Sequence, residues 1–123
     1  MSVIVRDDGF HADDFTGEAV EIAPDTPSEE LIQRASGAAL VRIAFPSFAD
    51  GRGFTLARRL RAAGYAGRLR AAGHVIADQY AMARRSGFDE VEISEALAER
   101  QGAEQWLVRA NWRAHDYRAR LQR

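Results

Sequence analysis

Ala38-Ala39-Leu40-Val41-Arg42-Ile43-Ala44-Phe45-Pro46 is a nearly continuous apolar run closed by proline. It is long enough for a strand buried on both faces of a sheet. A loop from Ser47 to Arg52 follows, and then Phe54, Ala57, Leu60 and Ala63 recur at helical spacing up to Gly64. The same unit then repeats. Leu69-Arg70-Ala71-Ala72 reads as a strand ending at Gly73, and Ile76, Tyr80 and Ala83 trace one face of a helix closed by Gly87. Val91-Glu92-Ile93 is a third strand, with Ser94 placed to cap a helix carrying Ala96, Leu97 and Arg100. Alternating strands and helices joined by short loops predict right-handed parallel crossovers. The expected fold is α/β, with a βαβαβα core over residues 37–101.

Upstream, Val3-Ile4-Val5 reads as a short strand, Asp8-Gly9 as a turn and Ala19 to Ile22 as another short strand. After Pro24 and Pro27, Thr26 or Ser28 can cap a helix through Leu31, Ile32 and Ala35 that stops at Gly37. Downstream, Trp106, Ala110, Ala114, Tyr117 and Leu121 share one helical face, which predicts a C-terminal helix over 102–123, although Trp106-Leu107-Val108 alone could be a strand. Trp106, Trp112 and Tyr117 read as core or dimer packing. A single domain over 1–123 is expected, made of an acidic layer (1–36), the core and that helix.

The chain has 123 residues, 17 basic and 18 acidic, with 46% hydrophobic side chains and no cysteine. That is enough chain for one core without covalent staples. The lack of cysteine excludes disulfides, thiolate metal sites, iron–sulfur clusters and a thiol nucleophile. Every basic residue is arginine, so a P-loop lysine, a Schiff base and a lysine general base are excluded as well. Residues 1–36 carry nine acids and two arginines, whereas 37–123 carry fifteen arginines and nine acids. An acidic N-terminal layer neutralising a basic body is the plain reading, and no nucleic-acid partner is expected. Neither a leader pattern nor a membrane-length apolar run is present, so the cytoplasm is the expected compartment.

In a parallel sheet, ligands bind beyond the carboxyl ends of the strands. Those ends are Phe45-Pro46-Ser47, Gly73-His74 and Ile93-Ser94. The turn Ser47, Asp50, Gly51, Arg52, Gly53, Thr55 precedes a helix start, where backbone N–H groups, the helix dipole and a guanidinium favour a small anion. Sulfate, sulfite and phosphate are the candidates, with Gln79 nearby. The plainer alternative is an Asp50-Gly51 turn with Arg52 paired to a neighbouring carboxylate. His74 with Asp78 would form the catalytic pair for proton transfer if the chain is an enzyme. Ordinary helix capping explains Asp78 equally well, and no nucleophile elbow surrounds Ser47. His11, His74 and His115 lack ligand spacing, so no metal site is expected. The Asp7-Asp8 and Asp13-Asp14 pairs read as solvated surface, and the Arg84-Arg85 pair and the tail arginines as helix faces.

Phe45-Pro46-Ser47-Phe48-Ala49-Asp50-Gly51-Arg52-Gly53-Phe54-Thr55, then Ala57-Arg58, Leu69-Arg70-Ala71, Gly73, Val75, Asp78-Gln79, Arg85 and Gly87-Phe88-Asp89 resemble the DUF934 family. The resemblance covers about residues 38–93. It implies a small bacterial protein, often labelled a probable oxidoreductase, whose gene lies beside assimilatory sulfite reductase. Arg68, His74, Ala77 and Ser86 depart from that family's usual residues, so no family role attaches to an acid at 74 or a thiol at 86. Sulfite reduction needs a multi-electron cofactor, and the residues point to none. An accessory role, with sulfite reductase as a partner, is therefore expected. A small-molecule enzyme and a non-catalytic homodimer are the alternatives.

Overall fold

The computed structural model describes residues 2–112. Six strands form one sheet: β1 (Ser2–Arg6), β2 (Gly9–His11), β3 (Val20–Ile22), β4 (Leu40–Phe45), β5 (Arg68–Gly73) and β6 (Glu90–Ser94), in the spatial order β2-β1-β6-β5-β4-β3. β3 to β6 are parallel neighbours, whereas β1 runs antiparallel to both β6 and β2. Helices α1 (Ser28–Ala35), α2 (Arg52–Ala62) and α3 (Tyr80–Ser86) link the parallel strands, and α4 (Glu95–Arg100) and α5 (Ala103–Leu107) follow β6. Because each strand is laid beside the one before it, right-handed crossovers put α1, α2 and α3 on the same face. The expected α/β core is therefore present, and all its layers share one sheet.

The alternation of side chains along each strand sorts the two faces. Val41, Ile43 and Phe45 of β4, Leu69 and Ala71 of β5, and Val91 and Ile93 of β6 are buried on the helical side. There they meet Leu56, Ala57 and Leu60 of α2 and Tyr80 and Ala83 of α3 in one hydrophobic core. The Phe45 ring packs at 5.0 Å from Phe54 and 5.8 Å from Phe88. The opposite face is polar, carrying Arg42, Arg68, Arg70, Glu90 and Glu92. β4 is thus not apolar on both sides: Arg42 is only half-buried and Ala44 is exposed.

Residues 12–19 join β2 at one edge of the sheet to β3 at the other. The span is five interstrand steps, roughly 24 Å, close to the full reach of eight residues. The segment therefore lies nearly straight across the helix-free face. Its Asp13 and Asp14 reach Arg70, Arg68 and Arg6 there.

Two local expectations change. No side chain caps α1, which begins after Pro27; the Thr26 hydroxyl donates to the Ala23 carbonyl at 2.7 Å. The C-terminal helix stops at Leu107. Trp106 is buried edge-on against Tyr80 and donates to the Gln101 carbonyl at 3.0 Å, while Leu107 and Val108 are exposed among the described residues. Trp106 is core. Ala114, His115, Tyr117 and Leu121 lie outside the described residues. No described helix is long and apolar enough to cross a membrane.

Candidate functional site

The turn after β4 is built around Asp50. Its amide donates to the Ser47 carbonyl at 3.1 Å, closing the turn, and its carboxylate accepts from the Arg52 amide at 3.1 Å. The same carboxylate takes a two-pronged contact from the Arg52 guanidinium, at 3.0 and 2.7 Å. These hydrogen bonds hold the Asp50 carboxyl below its ordinary range and raise Arg52. An internal carboxylate therefore occupies the start of α2, where an external anion would sit, and the Arg52 side chain is 59% exposed. The plainer sequence reading, Arg52 paired to a nearby acid, is the geometry found.

Two glycines in this region are demanded by Phe45. A Cβ on Gly53 would come within 2.5 Å of the Phe45 ring, and one on Gly73 within 2.7 Å of the Phe45 carbonyl oxygen. Gly73 also has φ +119°, a conformation that side chains rarely adopt. The His74 amide donates to that carbonyl at 2.9 Å.

His74 lies at this strand end, exposed, its ring edge-on to Phe48 at 5.1 Å. Gln79 ties the two loops together: its Oε1 accepts from the Ile76 amide at 3.0 Å and its Nε2 donates to the Phe48 carbonyl at 2.9 Å. Asp78 points elsewhere and pairs with Arg109. Ser47, Phe48, His74 and Gln79 are thus gathered at one end of the sheet, and no hydrogen bond joins His74 to Asp78. Thr55, half-buried one turn into α2, takes only a long 3.5 Å contact from Arg58. Three surface cavities, of about 410, 690 and 310 Å³, open between α1 and α2, between α2 and α3, and on the helix-free face. None of the three is lined by Ser47, Asp50, Arg52, His74 or Asp78. Among the described residues, no three His, Asp or Glu side chains are placed to hold a metal ion.

The densest chemistry lies on the helix-free face. The Arg70 side chain is 1% exposed, and its Nε donates to Glu90 at 2.6 Å. Its Nη1 donates to Glu92 at 2.9 Å, and Nη1 and Nη2 both donate to Asp13 at 3.1 Å. Arg68 and Arg6 also reach Glu90, and each reaches Asp14 at 2.9 Å. Arg42 bridges Glu92 and Glu21. Burial pushes Glu92 up, but hydrogen bonds from Arg42 and Arg70 more than offset this and hold it low. Arg68 and Arg6 pull Asp14 down to about 2. Elsewhere Asp7 accepts from the Tyr80 hydroxyl at 2.6 Å and from Arg84 at 3.1 Å. The acidic layer does neutralise the basic body, and Asp7, Asp13 and Asp14 are engaged rather than merely solvated.

The sequence reading missed this network, although a signal was there. Arg68-Leu69-Arg70 and Glu90-Val91-Glu92 alternate charge and hydrocarbon with the period of a strand, and in parallel neighbours the two charged rows meet.

An acid response follows. A carboxyl held low in the folded state contributes stability above its unfolded value, and loses it as pH falls through the folded value. Asp7, Asp13 and Asp14 start from 3.8 and Glu92 from 4.5, and all are lowered. Thermal melting followed against pH is expected to be flat from neutrality to about pH 5 and to fall steadily toward pH 2. A main decline centred between pH 6 and 7 would assign the effect to histidine instead.

Compared with known families, residues 19–122 match the one described as a bacterial protein of unknown function, DUF934. No curated protein and no solved structure matches the chain.

Proposed function

The chain belongs to the DUF934 family, and on that basis we propose that it is an accessory, binding protein of assimilatory sulfite reduction. In this reading the Ser47–Thr55 turn receives a small oxyanion such as sulfite, sulfate or phosphate. One observation carries the anion reading. The turn already holds an anion, the Asp50 carboxylate, between the Arg52 guanidinium and the first amide of an eleven-residue helix. An external oxyanion competes with that tethered carboxylate for the same donors, so its affinity is weak in the native chain. The pathway assignment is supported by the resemblance of the Phe45–Thr55 motif. The accessory role is supported by Asp78 pairing with Arg109 rather than with His74.

Thermal shift with sodium sulfate, sulfite and phosphate, against chloride at matched ionic strength, tests the site. Asp50→Asn removes the tethered competitor and is expected to tighten oxyanion binding roughly tenfold, even though the variant's own melting point falls. Arg52→Ala is expected to abolish the response. An oxyanion response that persists unchanged in Arg52→Ala overturns the site. For the pathway, normal growth of a deletion strain on sulfate as sole sulfur source overturns the accessory role.

A further inference from the structure

The arginines of the sheet all meet carboxylates, but two of those lining the groove between α2 and α3 meet none among the described residues. A groove of about 690 Å³ runs between these helices, with Arg58 and Ala62 on one wall and Met82, Arg85 and Ser86 on the other. Among the described residues neither Arg58 nor Arg85 meets an acid. The Arg58 Nη1 donates to the Ser86 hydroxyl at 3.1 Å, and the Arg85 Nη2 to the Trp112 carbonyl at 3.3 Å. Ser86 is buried and its hydroxyl donates onward to the Met82 carbonyl at 2.8 Å. Arg58 is therefore held in place by a neutral partner that leaves its charge unspent. Met82, 51% exposed, lines the same groove. Arg61, at the base, is committed to the carbonyls of Tyr65, Gly67 and Gly87 and to Asp89.

We propose that this groove docks an acidic segment of a partner protein, its carboxylates on Arg58 and Arg85 and an apolar side chain on Met82 and Ala62. The inference does not depend on the oxyanion turn. Three features select this occupant. The groove follows the later halves of α2 and α3, away from the free amides of a helix start on which a phosphate site is built. Nucleic acid needs a broad basic surface, whereas here two guanidiniums that meet no acid among the described residues sit on a chain of net charge −1. Guanidinium forks match carboxylates, and methionine adapts to varied apolar partners.

Fluorescence anisotropy with a labelled peptide of glutamate and leucine tests this on the full chain. A lysine–leucine peptide and an oligothymidine serve as comparisons. The acidic peptide is expected to bind, more weakly as salt rises. Arg58→Glu together with Arg85→Glu is expected to lose about tenfold or more in affinity and to accept the lysine peptide instead. Circular dichroism checks the fold. Should that double variant not fold, Met82→Glu places a carboxylate in the groove at an exposed position and is expected to lower affinity comparably. No binding of the acidic peptide, binding unchanged by these substitutions, or tighter binding of the oligothymidine would each overturn the proposal.

Discussion

Arg70→Ala is expected to lower the unfolding free energy by about 3–5 kcal/mol, read as a drop in the urea midpoint. The Arg70 side chain is 1% exposed and contacts Glu90, itself 2% exposed, as well as Glu92 and Asp13. Its removal leaves Glu90 to Arg6 and Arg68, and Glu92 to Arg42, with a cavity between strands and excess negative charge out of water. Coulomb energy is strong at such depth, so an uncompensated carboxylate costs more than the pair contributes when intact. Arg70→Met fills the volume and is expected to be almost as harmful, because the charge imbalance persists. Glu90→Gln in the Arg70→Met background removes one carboxylate of the excess and is expected to recover part of the loss. If Arg70→Met keeps the native midpoint, packing rather than charge dominates at this face.

Gly73→Ala is expected to cost about 3 kcal/mol, from positive-φ strain and a backbone clash combined. The added Cβ would meet the Phe45 carbonyl oxygen at 2.7 Å, at φ +119°. Neither problem yields to a change of neighbouring side chain. Gly53→Ala is the informative contrast, since there the obstacle is the Phe45 ring at 2.5 Å. Alanine also favours a helix over glycine by about 1 kcal/mol, so the net loss at 53 is smaller. Phe45→Leu is expected to relieve Gly53→Ala and to leave Gly73→Ala uncorrected. The measurement is a double-mutant cycle on urea midpoints. Equal rescue at both positions would mean that the Phe45 ring, not the backbone, sets the demand at 73.

The Phe45–Thr55 motif gains a physical reading from these contacts. Asp50 satisfies the Arg52 amide, Gly53 admits the Phe45 ring, and Gly73 admits the Phe45 carbonyl. Much of what marks the motif in sequence is therefore the geometry of one strand-to-helix turn. What remains outward-facing is the Arg52 guanidinium, Phe48 and His74. Gln79 crosses between the loops to hold them in register.

The parallel α/β core was readable from residues alone, because apolar period and glycine or proline punctuation are local properties of the chain. Ser94 capping its helix was readable for the same reason, since the hydroxyl and the Leu97 amide lie three residues apart. The C-terminal helix begins where expected but α5 ends at Leu107, and the burial of Trp106 against Tyr80 is set by another part of the chain. Partner choice was likewise settled by folding. Asp78 is close to His74 in sequence yet meets Arg109, and Asp13 crosses the sheet to meet Arg70. Periodicity tells which face a side chain leaves from, but charges select among whatever groups the chain brings within a few ångströms. That selection depends on strand order and on the path of residues 12–19 over the open face, neither of which is written in local pattern.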